Sequence, residues 1–381
     1  MLSSFKYRVY PTRVQVAFFN WQLNEACDLY NCAIEERRGA WKTCRKSINY
    51  YDQANQLKAM RAEGLVKLAN FSCCQDVLRR VDKAYQAFFR RLREGKKTGF
   101  PRFKPFQRFD SITFPSYGDG CRLIDDGKLR IQGAGLLKVK LHRPIEGRIK
   151  TVTLKRQSGK WYVCFAVECD PCPIPDSSES VGIDVGLTTF AVLSDGTEIE
   201  NPRYYRKSQA KLRRSQRKVA RRRKGSNRRR KAVQELQIVH THISNQRADF
   251  LHKESRKIVN KFGLIAVEDL NVKGLSGGML AKSVHDAGWG MFYQFLSYKA
   301  ASAGREMVAV NPSGTSQTCT CGATVPKRLN NRWHSCPKCG LSGSRDLVSS
   351  QVILQRAGTL PSRVNVGSLY PSVSREAVCF S

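Results

Sequence analysis

The chain has 381 residues, 41% of them apolar, and 66 Lys and Arg against 31 Asp and Glu give it a formal charge of +35. Length and apolar share exclude a disordered or fibrous protein, and the charge implies work against a polyanion, nucleic acid above all. No apolar run approaches the roughly 18 residues of a membrane span, and the start has no signal-peptide h-region. The 14 cysteines are accordingly read as cytosolic thiols or metal ligands, not a disulfide frame.

In chain order, Phe5 to Tyr10 predicts a strand stopped by Pro11. Thr12 and Gln15 have the spacing of a capping box. Beyond them Val16, Phe19, Leu23, Cys27, Tyr30 and Ile34 recur with the period of one helix face. A second helix is expected from Ser72, with Gln75 as its N3 partner and Leu78, Val81, Tyr85, Phe88 and Leu92 on one face. At Gly99-Phe100-Pro101 the pattern changes. From Ile112 to Val167 short alternating runs predict antiparallel strands, clearest where Trp161, Val163, Phe165 and Val167 oppose Tyr162, Cys164 and Ala166 after a Ser158-Gly159 hairpin turn. Residues 170–176, rich in proline, read as a linker.

The second half opens on a buried strand, Val181 to Gly186, holding an acid near its end; Thr188 to Leu193 follows, turned by Asp195-Gly196 into a third strand. Residues 203–231 then carry 16 Lys and Arg and no acid. A helix is expected to Lys261, a strand from Leu264 to Glu268, a cysteine cluster at 319–339, a short helix after Asp346 and a loose tail. No internal repeat is visible.

Cys319-x-Cys321 and Cys336-x2-Cys339, each pair followed by glycine (Gly322, Gly340), have the spacing of a structural zinc knuckle pair. Four thiolates would leave no open position for a substrate. His334 is an alternative fourth ligand should the short first pair be strained. Three acids stand out: Asp184 and Glu268 at strand ends, and Asp346, alone between Glu306 and Glu376. Converging carboxylates can hold two divalent metals that activate water and stabilise the leaving oxygen of a phosphodiester. Taken singly, each is equally a turn residue. Asp269, next to Glu268, should face the other way, and His240 and His242 diverge on a helix. The density of the basic run argues for phosphate contact by Arg213, Arg214, Arg217, Arg221, Arg222, Arg223, Arg228, Arg229 and Arg230, because like charges at i,i+4 oppose helix formation.

With these pieces in order, the chain resembles the TnpB family of transposon-encoded RNA-guided DNA endonucleases over residues 5–356. The resemblance rests on Tyr7 to Thr12, Gly99 to Lys104, Gly182 to Gly186, Ala266 to Leu270, Asn311 to Gln317 and Arg345-Asp346. It implies an α+β multidomain fold. A helical recognition lobe (11–98) would interrupt a small β-barrel (1–10 and 99–172). A RuvC-like, RNase H-type α/β nuclease domain (178–318 and 340–357) would follow, with an inserted zinc ribbon (319–339) and a flexible tail (358–381).

By the same resemblance Asp184, Glu268 and Asp346 would be catalytic, holding two Mg²⁺ or Mn²⁺, and Cys319, Cys321, Cys336 and Cys339 one structural Zn²⁺. The partners would be a guide RNA from the transposon end and target double-stranded DNA with a short flanking motif. Ser72, Gln75, Arg79 and Thr113 are candidates for reading that motif. The expected state is a monomer in a cytoplasmic, nucleoid-associated ribonucleoprotein with no membrane role. Departures from the family pattern are the short C-x-C, Ser344 in place of a frequent acid and Val348 in place of a frequent Asn. Rival readings are a nuclease-inactive RNA-guided repressor, a strand-transferring transposase on the same fold, and a plain basic binding module.

Overall fold

A computed structural model describes residues 1–124, 127–328 and 331–358, so the expected tail beyond Gly358 lies outside the described residues. The chain divides into two compact units, one ending at Cys169 and the other starting at Asp170.

The first unit begins with β1 (Leu2–Tyr10). Thr12 then starts α1 (Arg13–Cys44) as the capping box predicts: its hydroxyl accepts from Gln15 N at 3.3 Å, and Gln15 Oε1 accepts from Thr12 N at 3.0 Å. Next come α2 (Tyr50–Ala62) and α3 (Phe71–Arg93). The cap of α3 is not Ser72. Asn70 Oδ1 accepts from Cys73 N at 3.0 Å, two positions earlier than expected, and the Ser72 hydroxyl donates to Asp119 instead. Leu78, Val81 and Tyr85 are buried as the period requires, but Leu92 is 57% exposed. Arg37, buried in α1, binds the three helices together, donating to Gln53 Oε1 at 2.9 Å and to Asp82 Oδ1 at 3.1 Å.

Strands β2 (Ser111–Phe114), β3 (Cys121–Ile124), β4 (Lys128–Ile131), β5 (Gly135–Lys140), β6 (Arg148–Gln157) and β7 (Lys160–Glu168) complete an antiparallel sheet of order β2-β6-β7-β1-β5-β4-β3. Its ends, β2 and β3, do not pair with one another. The sheet is thus a half-barrel in the place where a small β-barrel was expected. Ser158 (φ 48°) and Gly159 (φ 76°) make the two-residue turn that sets Gln157 opposite Lys160.

The second unit is built on β8 (Ser180–Val185), β9 (Thr189–Leu193) and β10 (Glu198–Glu200), then α4 (Tyr204–Ala220) and α5 (Asn227–Lys261), then β11 (Leu264–Glu268). After these come α6 (Val272–Leu275), α7 (Ala281–Ala287), α8 (Trp289–Ala303), β12 (Glu306–Val310), β13 (Trp333–Ser335), β14 (Ser342–Ser344) and α9 (Arg345–Gly358). The main sheet runs β10-β9-β8-β11-β12, antiparallel on the β9 side and parallel from β8 to β12. Its two faces divide the helices by residue parity. Val181, Ile183, Ile265 and Val267 pack on Leu251, Ile258, Phe292 and Leu296 of α5 and α8. Ala266, Val308 and Val310 pack on Ile353 and Ala357 of α9. Among the described residues no helix is long and apolar enough to cross a membrane.

Candidate functional site

Parity puts Gly182 and Asp184 on one face of β8, and Ala266 and Glu268 on the same face of β11, the face that carries α9. Register aligns the two acids as well: Ala266 pairs with Gly182 and Val267 with Ile183, so Glu268 lies one step on, level with Asp184. Gly182 is what lets the third acid arrive. A Cβ there would sit 2.0 Å from the Ser350 carbonyl oxygen and 2.8 Å from Leu354 N, so any larger residue would force α9 off the sheet. With α9 seated, Asp346 in its first turn comes near enough for its charge to act on Asp184.

The three carboxylates differ in their surroundings. Part of Asp184 reaches solvent, yet its carboxyl group is enclosed. Burial pushes it well above the usual carboxylate range, the charges of Glu268 and Asp346 push further, and Arg345 and Arg332 oppose them. Glu268, 8% exposed, is raised by burial and held back by the Thr315 hydroxyl, which donates to its Oε1, and by Arg356. Asp346 accepts from Arg345 Nη2 at 2.9 Å and from Arg332 Nη1 at 3.2 Å, and Arg332 also reaches Thr188 Oγ1 at 3.2 Å. Thr315 lies in the Asn311 to Gln317 motif without a role assigned to it, and nothing in the sequence singles out Arg332 or Arg356. Arg345, directly beside Asp346, is the one with a local signal.

Among the described residues, Cys319, Cys321, Cys336 and Cys339 are the group whose ligand atoms converge, every Sγ within 4.8 Å of the others. Sγ separations of 3.6 Å (Cys319–Cys339) and 3.7 Å (Cys321–Cys336) match the edge of about 3.8 Å that a zinc–sulfur bond of about 2.3 Å gives a tetrahedron. The short first pair does not spoil the turn. Gly322 N donates to Cys319 O and Cys319 N to Ala323 O, each at 2.9 Å; the second knuckle repeats this one residue longer, Gly340 N to Cys336 O and Cys336 N to Leu341 O. Both glycines have positive φ, 81° and 75°. Backbone N–H groups of Cys339 and Lys338 draw the Cys336 thiol down, while hydrogen bonds with the other three cysteines push the Cys339 thiol up. His334, fully buried on the β13–β14 hairpin with Nδ1 against Lys327, is not among the converging ligand atoms.

The basic run forms a helical hairpin, α4 and α5, closed on Leu212, Val239 and Ile243. Arg213, Arg214, Arg217, Arg221, Arg222, Arg223, Arg228 and Arg230 are exposed on it. Arg229 is half-buried, and its Nη1 donates to Val219 O at 2.8 Å and Arg222 O at 3.2 Å, tying off the end of α4. The α4 N-terminus has no side-chain cap of its own. Asp286 of α7 supplies one, accepting from Tyr205 N at 2.8 Å and Arg206 N at 3.2 Å. In the first unit Ser72, Gln75 and Arg79 share a face of α3, with Arg79 exposed over the Tyr50 ring; Thr113 Oγ1 is taken up by Arg80 at 2.8 Å.

Fold and site together define a strongly basic α+β protein with two carboxylates level on one sheet face, a third on the helix packed there, and four cysteines that could hold a metal ion. The family model described as "Probable transposase" matches residues 163–278, and the one described as "Cas12f1-like, TNB domain" matches 289–353. A Streptomyces pristinaespiralis protein named "Putative RNA-guided DNA endonuclease" is 35% identical, covering 92% of this chain and 88% of its own. An Escherichia coli protein of the same name, InsQ, is 29% identical over 93% of this chain and 92% of its own. A "TnpB-like protein" of Acanthamoeba polyphaga mimivirus is 25% identical over 93% and 73%. The chain belongs to the TnpB family.

Proposed function

We propose that the protein is an RNA-guided DNA endonuclease that hydrolyses a phosphodiester at Asp184, Glu268 and Asp346. The observation that carries this reading is strand register: Asp184 and Glu268 stand level on one sheet face, and Asp346, in the first turn of the helix packed there, is near enough for its charge to raise the Asp184 carboxyl further. An all-carboxylate donor set suits hard divalent cations, and the crowded charge on Asp184 is what such cations relieve. When bound, a pair of Mg²⁺ or Mn²⁺ ions would supply water activation and stabilisation of the leaving oxygen. The chain's own residues do the rest. Thr315 fixes the Glu268 carboxylate, Arg345 fixes Asp346, and the exposed arginines of α4, α5 and their loop hold phosphates.

The strand order β10-β9-β8-β11-β12, with the first strand central, supports a RuvC-like, RNase H-type domain. The sulfur spacing supports one structural zinc in a ribbon spanning 319–339. Guide RNA and target DNA as partners follow from the activity in the relatives' names. On this reading Ser72, Gln75 and Arg79 line the α3 face offered for the flanking motif.

The test replaces Asp184, Glu268 and Asp346 by Ala one at a time. Cleavage should vanish in each while nucleic-acid binding persists, EDTA should mimic the loss and Mg²⁺ reverse it. Cutting must also require the element's own RNA and move when its pairing segment is changed. Cutting that ignores the RNA sequence would leave an unguided nuclease or a transposase, and near-normal cutting by Asp346→Ala would remove the third ligand from the scheme.

A further inference from the structure

The Gly99 to Lys104 segment, prominent in sequence, has no part in the carboxylate or cysteine sites. With the end of α3 it builds a surface of its own in the first unit. Phe89 is 51% exposed, Phe100 43% and Phe103 46%, unusual values for phenylalanine. Phe100 meets Phe88 at 5.1 Å and Tyr85 at 5.5 Å between ring centres, so it is anchored to the core by its edges. The Arg38 guanidinium lies 5.3 Å from the Phe103 ring centre and 6.0 Å from that of Phe100. Around these rings, residues 88–104 hold seven Lys and Arg and a single acid, Glu94. Arg90, Arg93, Lys97 and Arg102 are exposed, with no ion pair or side-chain hydrogen bond among the described residues.

Folding alone accounts for neither half of this surface. Exposed rings forgo hydrophobic burial, and unpaired like charges repel one another. Phosphate would answer the cations without any need for rings. Rings need a planar face to stack on, and a duplex hides its base faces within its own stack. Unpaired nucleotides offer phosphate and open base faces together.

We infer that Phe89, Phe100 and Phe103 form a stacking platform for unpaired nucleotides, with Arg90, Arg93, Lys97 and Arg102 holding the phosphates between the stacked bases. The inference rests on the nuclease reading above and adds to it a strand-selective site. Two sources present this chemistry, a single-stranded stretch of guide RNA and the displaced DNA strand.

The experiment measures affinity of the full-length protein for a fluorescent oligouridine, an oligothymidine of equal length and a blunt DNA duplex. Phe103→Ala should weaken binding to a single strand roughly 5- to 100-fold, leave the duplex within about two-fold, and be rescued by Phe103→Tyr. Preferential loss on oligouridine points to RNA, and on oligothymidine to displaced DNA. Should Phe103→Ala lower the melting temperature, Phe89→Ala carries the same comparison from a ring at the helix surface. Equal losses on duplex and single strand, or no loss on any probe, overturn the platform; the latter is the result expected if a protein partner covers the rings. Because binding is read without cleavage, failure of guided cutting and failure of the platform are separately visible.

Discussion

Gly182 and Ser350 touch backbone to backbone: the α carbon of the one leaves no room for a methyl group beside the carbonyl oxygen of the other. The contact locks α9 onto β8, and Asp346 rides on α9. Gly182→Ala should therefore cost about 1–3 kcal/mol or more in stability, the range of overpacking in a rigid core, and should abolish DNA cleavage with all three carboxylates still present. A melting curve and a cleavage assay on the same sample decide it. Full activity with an unchanged melting temperature would mean that α9 yields easily.

Metal analysis of the purified protein should find about one zinc per chain. Cys336→Ser should lower the melting temperature, because metal-binding energy in so small a hairpin is folding energy. A metal-free sample that melts where the untreated protein does would rule the knuckle pair out as a structural centre.

Charge removal on the basic hairpin should separate two kinds of arginine. Neutralising Arg221, Arg222, Arg223, Arg228 and Arg230 together should flatten the salt dependence of duplex binding by up to about 4.5 log units per log unit of salt, at roughly 0.9 per phosphate contact. Arg229→Ala should do little to that slope and should lower the melting temperature instead, since its guanidinium serves the carbonyls of Val219 and Arg222. Equal slope changes for Arg229 and its exposed neighbours would refute the distinction.

Lys299 is 4% exposed, and its ammonium donates at 2.7 Å to both the His252 carbonyl and the Ser255 hydroxyl; no carboxylate among the described residues pairs with it. Burial pulls it down to about 8 from 10.5. Below about pH 8 folded and unfolded chains both carry the charge, and the cost of burying it is constant. From pH 8 to 10.5 the unfolded chain holds the extra proton, so this residue's contribution to stability rises with pH. Lys299→Met should therefore raise the melting temperature at pH 7, with the advantage shrinking between pH 8 and 10.5. Parallel curves for the two proteins would contradict it.

Much of the fold was legible because its signals are local. The Thr12–Gln15 box, the alternation of β7 and the Ser158-Gly159 turn act within a few residues, and each formed as predicted. The start of α3 differs from the expected one because Asn70 and Ser72 are both good caps; the choice is made by Asp119, which takes the Ser72 hydroxyl from 47 residues away. β12 carries no motif of its own, although Met307 to Val310 is a short apolar run of the kind a buried parallel strand uses. In the site, residue type and spacing picked out the acids and cysteines. The groups that hold the acids, Thr315 and Arg332 among them, come from loops whose meeting only the packed chain decides.

The separation of the acids along the chain has a consequence for synthesis. Asp346 is made 162 residues after Asp184, and the exposed arginines of α4 and α5 are made between them. From Lys261, where the α4–α5 hairpin ends, to Asp346 is 85 residues, on the order of 4–17 s at roughly 5–20 residues per second. During that interval a nascent chain already holds its basic helical hairpin but lacks Asp346. On the proposed assignment of the three acids, each newly made molecule thus has time to engage RNA before it is able to cut DNA.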